Sequence, residues 1–295
     1  MKKKLNLYLI ILTILGVIIS LYPKLTLRTF YKTKTFINNV KLSKLIKNND
    51  CSFTVLNEIP DNSSIIIGHL YGSPSKHNNF IDKNAEKFLL KNRKKIKNLF
   101  LTGDIFSTPS REKWTRFYNL FDKDIRIFIT PGNHDIGRDE NFKIFKESVN
   151  QSTDFPIIYE DNNIVYIFEN SIKSGWHIQK NTFEEIKKID KNSQVILLRH
   201  NIAARELIPL ANSKSLLKRD LPYSKEIENL LNRNIIIISG DGGAFKKLPR
   251  IFCRTYGNIK YIINGLGGIE GDSIIVIHNN EIFSYVLKED FKNNY

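Results

Sequence analysis

"IFITPGNHDIG", residues 127–137, runs from an apolar strand signal into Pro131-Gly132 and then sets an amide, an imidazole and a carboxylate in a row. Pro-Gly is turn chemistry, and Asn, His and Asp are ordinary turn residues. The same three side chains are also metal donors, delivered together at the end of a buried strand. The neighbouring sequence decides between these readings.

Upstream, "SSIIIGH" closes an apolar run at Gly68-His69, and "NLFLTGD" closes another at Gly103-Asp104. Downstream, "QVILLRHN" ends in Arg199-His200-Asn201 and "NIIIISGDGG" ends in Gly240-Asp241. Between the first two runs, residues 80–97 place Phe80, Ile81, Ala85, Phe88, Leu89 and Ile96 at helical spacing. "SREKWTRFYNLF" puts Trp114, Phe117, Tyr118 and Phe121 on one helical stripe, which reads as core. "FPIIYEDNNIVYIFEN" predicts a hairpin about Asp161-Asn162-Asn163, while "TFEEIKKI" and "YSKEIENLLNR" predict helices. "IKYIINGLGG" and "SIIVIHNNEIFSYVL" predict closing strands, the latter folded at Asn279-Asn280. Strands alternating with helices, followed by a strand-rich second half, argue for one α/β domain with mixed sheets. Ligands of such sheets sit outside the carboxyl ends of the strands. His69, Asp104, Asn133-His134, His200 and Asp241 all fall there. One polar residue at a strand end is commonplace; a series of them needs a common cause.

The ordered series resembles the calcineurin-like metallophosphoesterases, whose strand ends carry D-x-H, G-D, G-N-H-[D/E], a lone H and G-H-x-H. Gly103-Asp104, Gly132–Asp135 and His200 match the middle three blocks, and the likeness runs over roughly residues 60–290. The resemblance implies a four-layer αββα sandwich with mixed β-sheets. It also implies metal-dependent hydrolysis of a phosphomonoester or phosphodiester. Two blocks depart. "GHLYG" has His69 at the Asp position and Tyr71 at the His position, and "GDGG" has Asp241 and Gly243 at the two His positions.

Carried over position by position, the resemblance makes Asp104 the bridging carboxylate. Asn133, His200 and Asp241 complete the ligands of one ion, and His69 is a replacement donor to another. Tyr71 and Gly243 do not look like replacements, and Asp272 is an additional acidic group nearby. His134 becomes the imidazole that serves the leaving group, with Asp135 orienting it; Arg138 and Arg199 are candidate phosphate clamps. A mixed oxygen and nitrogen donor set suits Mn, Fe or Zn without choosing among them. One or two ions are expected, the one at His69 being the weaker. His77, His177 and His278 lie off the strand-end series and read as structural. The missing ligands support a rival reading, in which a family member without turnover binds a metal or a phosphorylated ligand.

The remaining composition bears on place and partners. A net charge of +15 would suit nucleic acid, but Lys, Asn and Ile are abundant throughout and the basic residues do not cluster, so nucleic acid is an unlikely partner. After Lys2–Lys4, the 18 residues Leu5–Tyr22 carry no charge, enough to span a bilayer, and no small-x-small cleavage site follows. Residues 1–22 are therefore expected to form a hydrophobic membrane-anchoring helix, 23–58 a basic stalk, and 59–295 the catalytic domain. Lysines flank the run on both sides; the short leading tail favours an extracytoplasmic domain. Cys51 and Cys253 are the only cysteines, and spacing alone does not show that they meet.

Overall fold

The computed structural model describes residues 49–72, 79–121, 124–172, 174–175, 177–202, 230, 233–244, 248 and 250–287. The expected anchoring helix, most of the stalk, His77 and nearly all of the helix expected at "YSKEIENLLNR" lie outside these residues. Among the described residues, no helix is long and apolar enough to cross a membrane.

Two sheets make the body. The first has the order β11-β10-β1-β2-β3, with β1 (Ser63–Ile67), β2 (Ile96–Thr102), β3 (Arg126–Thr130), β10 (Ser273–His278) and β11 (Glu281–Val286). The second has the order β4-β5-β6-β7-β9-β8, with β4 (Ile157–Asp161), β5 (Ile164–Phe168), β6 (Gln194–Arg199), β7 (Ile235–Ser239), β8 (Ile251–Tyr256) and β9 (Ile259–Asn264). β1, β2 and β3 run parallel, as do β5, β6, β7 and β9; antiparallel pairs lie at both edges of the second sheet and at the β11 edge of the first, whose other edge is the parallel strand β3. Every residue of β1, β5 and β7 is buried, which is why these segments read as unbroken apolar runs rather than alternations.

The inner faces meet through Ile66, Phe100 and Ile275 of the first sheet and Tyr166, Phe168, Ile196, Leu198, Ile238 and Ile262 of the second. On the outer face of the first sheet, α1 (Lys83–Asn92) buries Ala85, Phe88 and Leu89 in the cluster that holds Ile65, Leu99, Leu101 and Ile129. Each large apolar side chain buried there contributes about 1.5–3 kcal/mol. The helix is shorter than the residue 80–97 pattern predicts. Asp82 caps it by accepting from the amides of Asn84 and Ala85, and Ile96 already belongs to β2. Further helices are α2 (Arg111–Tyr118), α3 (Asn133–Ile136), α4 (Asp139–Ser148) and α5 (Lys180–Lys188). α2 starts where Ser110 Oγ accepts from the Lys113 amide, and it buries Trp114 and Phe117 as its aromatic stripe predicts. α4 and β8 have no counterpart in the sequence reading.

The compact body begins at Asn48, ahead of the boundary at 59 that composition suggests. Residues 49–56 are stitched to both sheet edges, which explains the shift. The Asn49 side chain accepts from the Cys253 amide, Cys51 is disulfide-bonded to Cys253 on edge strand β8, and Val55 bridges to Ser284 on edge strand β11. The strap covers backbone that would otherwise be open to pairing with another chain.

Candidate active site

The strand-end residues converge. β1, β2 and β3 deliver His69, Asp104 and Asn133-His134 from the first sheet, while β6 and β7 deliver His200 and Asp241 from the second. Asp104 lies between two imidazoles: its Oδ2 is 3.7 Å from His69 Nε2 and its Oδ1 is 3.6 Å from His200 Nε2. His200 Nε2 is also 3.2 Å from Asn133 Oδ1 and 3.8 Å from Asp241 Oδ1.

Local backbone is bent to achieve this. His69 and Asp104 both have left-handed conformations, at φ 52° and 57°, which L side chains adopt only at a cost. Gly103, at φ 86°, precedes Asp104; a Cβ there would sit 2.5 Å from His200 Nδ1, so no larger residue lets the two sheets' ends meet.

Each imidazole is fixed by a backbone carbonyl. Nδ1 of His69 is 3.0 Å from Leu266 O, that of His200 is 3.0 Å from Thr102 O, and that of His134 is 2.8 Å from Ser107 O. Donation from Nδ1 leaves the Nε2 lone pair of each ring available, the arrangement that prepares a histidine to ligate a metal. Burial holds the His69 imidazole neutral, down at about 4, against the pull of Asp104. Burial also opposes charge on His200, but Asp104 and Asp241 outweigh it and lift that ring above the usual histidine value. Asp241 keeps a quarter of its side chain exposed, yet desolvation raises its carboxyl to about 6.

Three sequence expectations need correction. Asp135 does not orient His134; Ser107 O does. The Asp135 carboxylate is fully buried and accepts from the amides of Asp104 (2.7 Å), Gly132 (2.8 Å) and Ile105 (3.1 Å), lacing the β2 and β3 loops together. Arg199 is no phosphate clamp. It is wholly buried, lies 3.3 Å from Glu169, and donates to the carbonyls of Gly175 and His177. Asp272 is no ligand either: it accepts from the amides of Gly267, Gly268 and Ile269 and faces Arg250, shaping the loop that presents Leu266 O to His69. Arg138 is exposed at the start of α4. Of the histidines read as structural, His177 gives its carbonyl to Arg199, and His278 ends β10 opposite Glu281.

The carbonyls of Thr102, Ser107 and Leu266 are the site groups that sequence reasoning missed. A backbone acceptor leaves no mark in residue type, so no sequence signal could have found them. Tyr71, dismissed as a ligand, lies within the site. Its ring centroid is 4.4 Å from that of His69 and 5.2 Å from that of His134, and its hydroxyl is 3.5 Å from His134 Nε2.

Whether these groups suit a metal can be judged from their spacing. Two donors at about 2 Å from one ion lie roughly 3.4 Å apart in tetrahedral geometry. The three neighbours of His200 Nε2, at 3.2, 3.6 and 3.8 Å, match that spacing, and they bring the carboxylate, amide and imidazole mix expected for a first-row divalent ion. Among the described residues, no three His, Cys, Asp or Glu side chains already close on one point, and Asn133 Oδ1 is the further oxygen beside His200 Nε2.

Residues 77–265 match the family model for calcineurin-like phosphoesterases. The chain belongs to that family, and its two-sheet body is the family's sandwich. No curated protein matches the chain significantly. Among solved structures, it is similar to a purple acid phosphatase from yellow lupin seeds, with 11% identity and a TM-score of 0.47, over 76% of this chain and 53% of that one. A phosphopantetheinyl hydrolase from Mycobacterium tuberculosis shares 10% identity at a TM-score of 0.42, over 71% and 91% of the two chains. Vacuolar protein sorting 29 from Cryptosporidium parvum shares 12% at 0.37, over 79% and 94%. The chain thus spans about half the length of the lupin phosphatase.

Proposed function

We propose that this protein hydrolyses a phosphomonoester or phosphodiester with a divalent transition metal held by Asp104, Asn133, His200 and Asp241. The observation that carries the reading is the convergence of these side chains from both sheets, with the ligating nitrogen of His200 left free by its bond to Thr102 O. When bound, such an ion polarises a phosphoryl oxygen and lowers the pKa of a water enough to make it a nucleophile. The chain's own residues do the rest. Asp104 also accepts from the His134 amide at 3.0 Å, so the carboxylate and the imidazole loop are positioned together. His134 is half-buried, and its ring, held by Ser107 O, carries a proton on Nε2 to the leaving oxygen. Ser107 O keeps its bond to Nδ1–H in either protonation state. Exposed Arg138, close in sequence to Asn133 and His134, is the remaining candidate for drawing in an anionic substrate.

The test uses p-nitrophenyl phosphate and bis-p-nitrophenyl phosphate with the full chain, stripped by chelator and reloaded with Mn, Fe or Zn. Metal-dependent turnover of either compound is expected. Bound metal without turnover of any phosphoester would favour the non-catalytic rival, which the departures at Tyr71 and Gly243 motivate.

We further propose that residues 5–22 anchor the protein in a membrane, with the domain outside the cytoplasm. The uncharged run supports the anchor, and the Cys51–Cys253 bond suits an oxidising compartment. Carbonate extraction should leave the full-length chain in the membrane fraction, and alkylation without reductant should label neither cysteine. Release by carbonate would remove the anchor, and labelling of both cysteines would remove the compartment.

A further inference from the structure

We infer that this centre takes one ion, at Asp104, Asn133, His200 and Asp241, and that His69 and Tyr71 fill the space a second would need. The inference rests on the metal-centre reading above. A second ion would have to lie on the other oxygen of Asp104, next to His69 Nε2, since the first oxygen already faces His200. Those two donors fall short of the three protein ligands that catalytic sites of this kind usually supply.

The surroundings of His69 offer no third among the described residues. On one side stands the Tyr71 ring, buried to 1% exposure and tilted against the imidazole at 4.4 Å. Its hydroxyl reaches past His69 to His134 Nε2, at the outer edge of hydrogen-bond range. On the other side is Gly243. A Cβ on that residue would lie 1.9 Å from Leu266 O and 2.5 Å from His69 Nδ1, so no side chain fits at position 243 beside His69. His69 Nδ1 is itself committed to Leu266 O. The imidazole is therefore packed between a phenol and a glycine turn. The Tyr71 hydroxyl, beside His134 Nε2, takes up the space on that side of the imidazole.

The experiment counts ions. The full chain, stripped and dialysed against Mn2+ and separately Zn2+, is examined by elemental analysis as wild type, Tyr71→Phe and His69→Gln. Thermal melting checks that each variant is folded. One ion per chain is expected in all three, with affinity changed less than about tenfold, because neither substituted group ligates the retained ion. Inorganic phosphate binding to the loaded protein should weaken about tenfold or more in Tyr71→Phe, through loss of a hydrogen bond to a charged group. Two ions in wild type would overturn the inference, as would loss of the ion in His69→Gln or unchanged phosphate affinity in Tyr71→Phe. Two ions with turnover would leave the phosphoesterase reading standing; one ion without turnover of any phosphoester would do the reverse.

Discussion

At the amino ends of the parallel strands, Asp161 is held by Lys97 Nζ at 2.6 Å and by Asn98 Nδ2 at 3.0 Å, while Asn98 also donates to Ser64 and accepts from Tyr159. At the carboxyl ends, His69 and Asp104, Asp104 and His200, and His200 and Asp241 stand 3.6–3.8 Å apart, and among the described residues no lysine or arginine forms an ion pair with them. Both ends put charged and polar groups between or beside the same two sheets. At one end, every charge in the network meets an opposite charge or a donor at bonding distance. At the other, two carboxylates share a histidine, and neither lies within hydrogen-bond distance of the imidazole nitrogen that faces it. Partly buried carboxylates in that arrangement cost stability unless a cation completes them. The difference separates a network that is complete within the fold from one that a cation would complete, as the proposed function requires.

The comparison breaks most visibly at Asp104. Asp104→Asn should lose bound metal and lower kcat/KM together, by about a thousandfold or more, because the ion and its activation of water go with the carboxylate. Elemental analysis beside steady-state kinetics reads both quantities. A variant that keeps the ion and its turnover would place the metal elsewhere. His134→Ala should come next, lowering kcat by roughly 10²–10⁴-fold while retaining the ion. Metal loss in that variant would make His134 a ligand rather than the group that serves the leaving oxygen.

Arg199→Met tests the buried pair beside the site. Glu169 and Arg199 are both fully buried, and removing one partner leaves the other charge stranded at a cost of about 3–5 kcal/mol. Denaturant unfolding should show that loss, whereas ion content and kcat of the folded fraction stay at wild-type values. A rise in KM at unchanged stability would restore Arg199 to the substrate.

The same contrast explains what was legible in the sequence. Strand cores such as "IIIIS" and strand ends such as "TGD" and "PGNHD" carry their information in residue type and order, and the structure assembles them where the topology requires. Asn162, Asn163, Asn279 and Asn280 all adopt positive φ, so both asparagine hairpins were readable from local turn chemistry alone. Direction was not readable. Arg199 adjoins His200, but alternation along β6 sends the two side chains to different surroundings, one to Glu169 and the other to Asp104. Asp135 follows His134, yet its carboxylate turns back onto three amides. α4 escaped notice because "DENFKIFKES" buries a single residue, Phe145, which leaves little apolar periodicity to detect.

The smallest effect belongs to the amino-end network. The Lys97–Asp161 bond is short, but Lys97 is one-third exposed and solvent screens the pair. Exposed and half-exposed ion pairs contribute about 0–1 kcal/mol, and Asp161 would still hold the Asn98 amide after Lys97 is gone. Lys97→Met should therefore lower stability by about 1 kcal/mol or less, keep one ion per chain, and leave kcat/KM within about twofold of wild type. Urea melts at low and high salt sharpen the point, since the wild-type advantage should shrink as salt screens the pair. Salt affects the two ends differently. A metal centre closed by direct ligation keeps its ion through the same salt range, so ion content should not follow the stability change. If Lys97→Met altered metal content or turnover, the two ends would be coupled through the strands that join them, and the separation drawn between a structural and a functional network would fail.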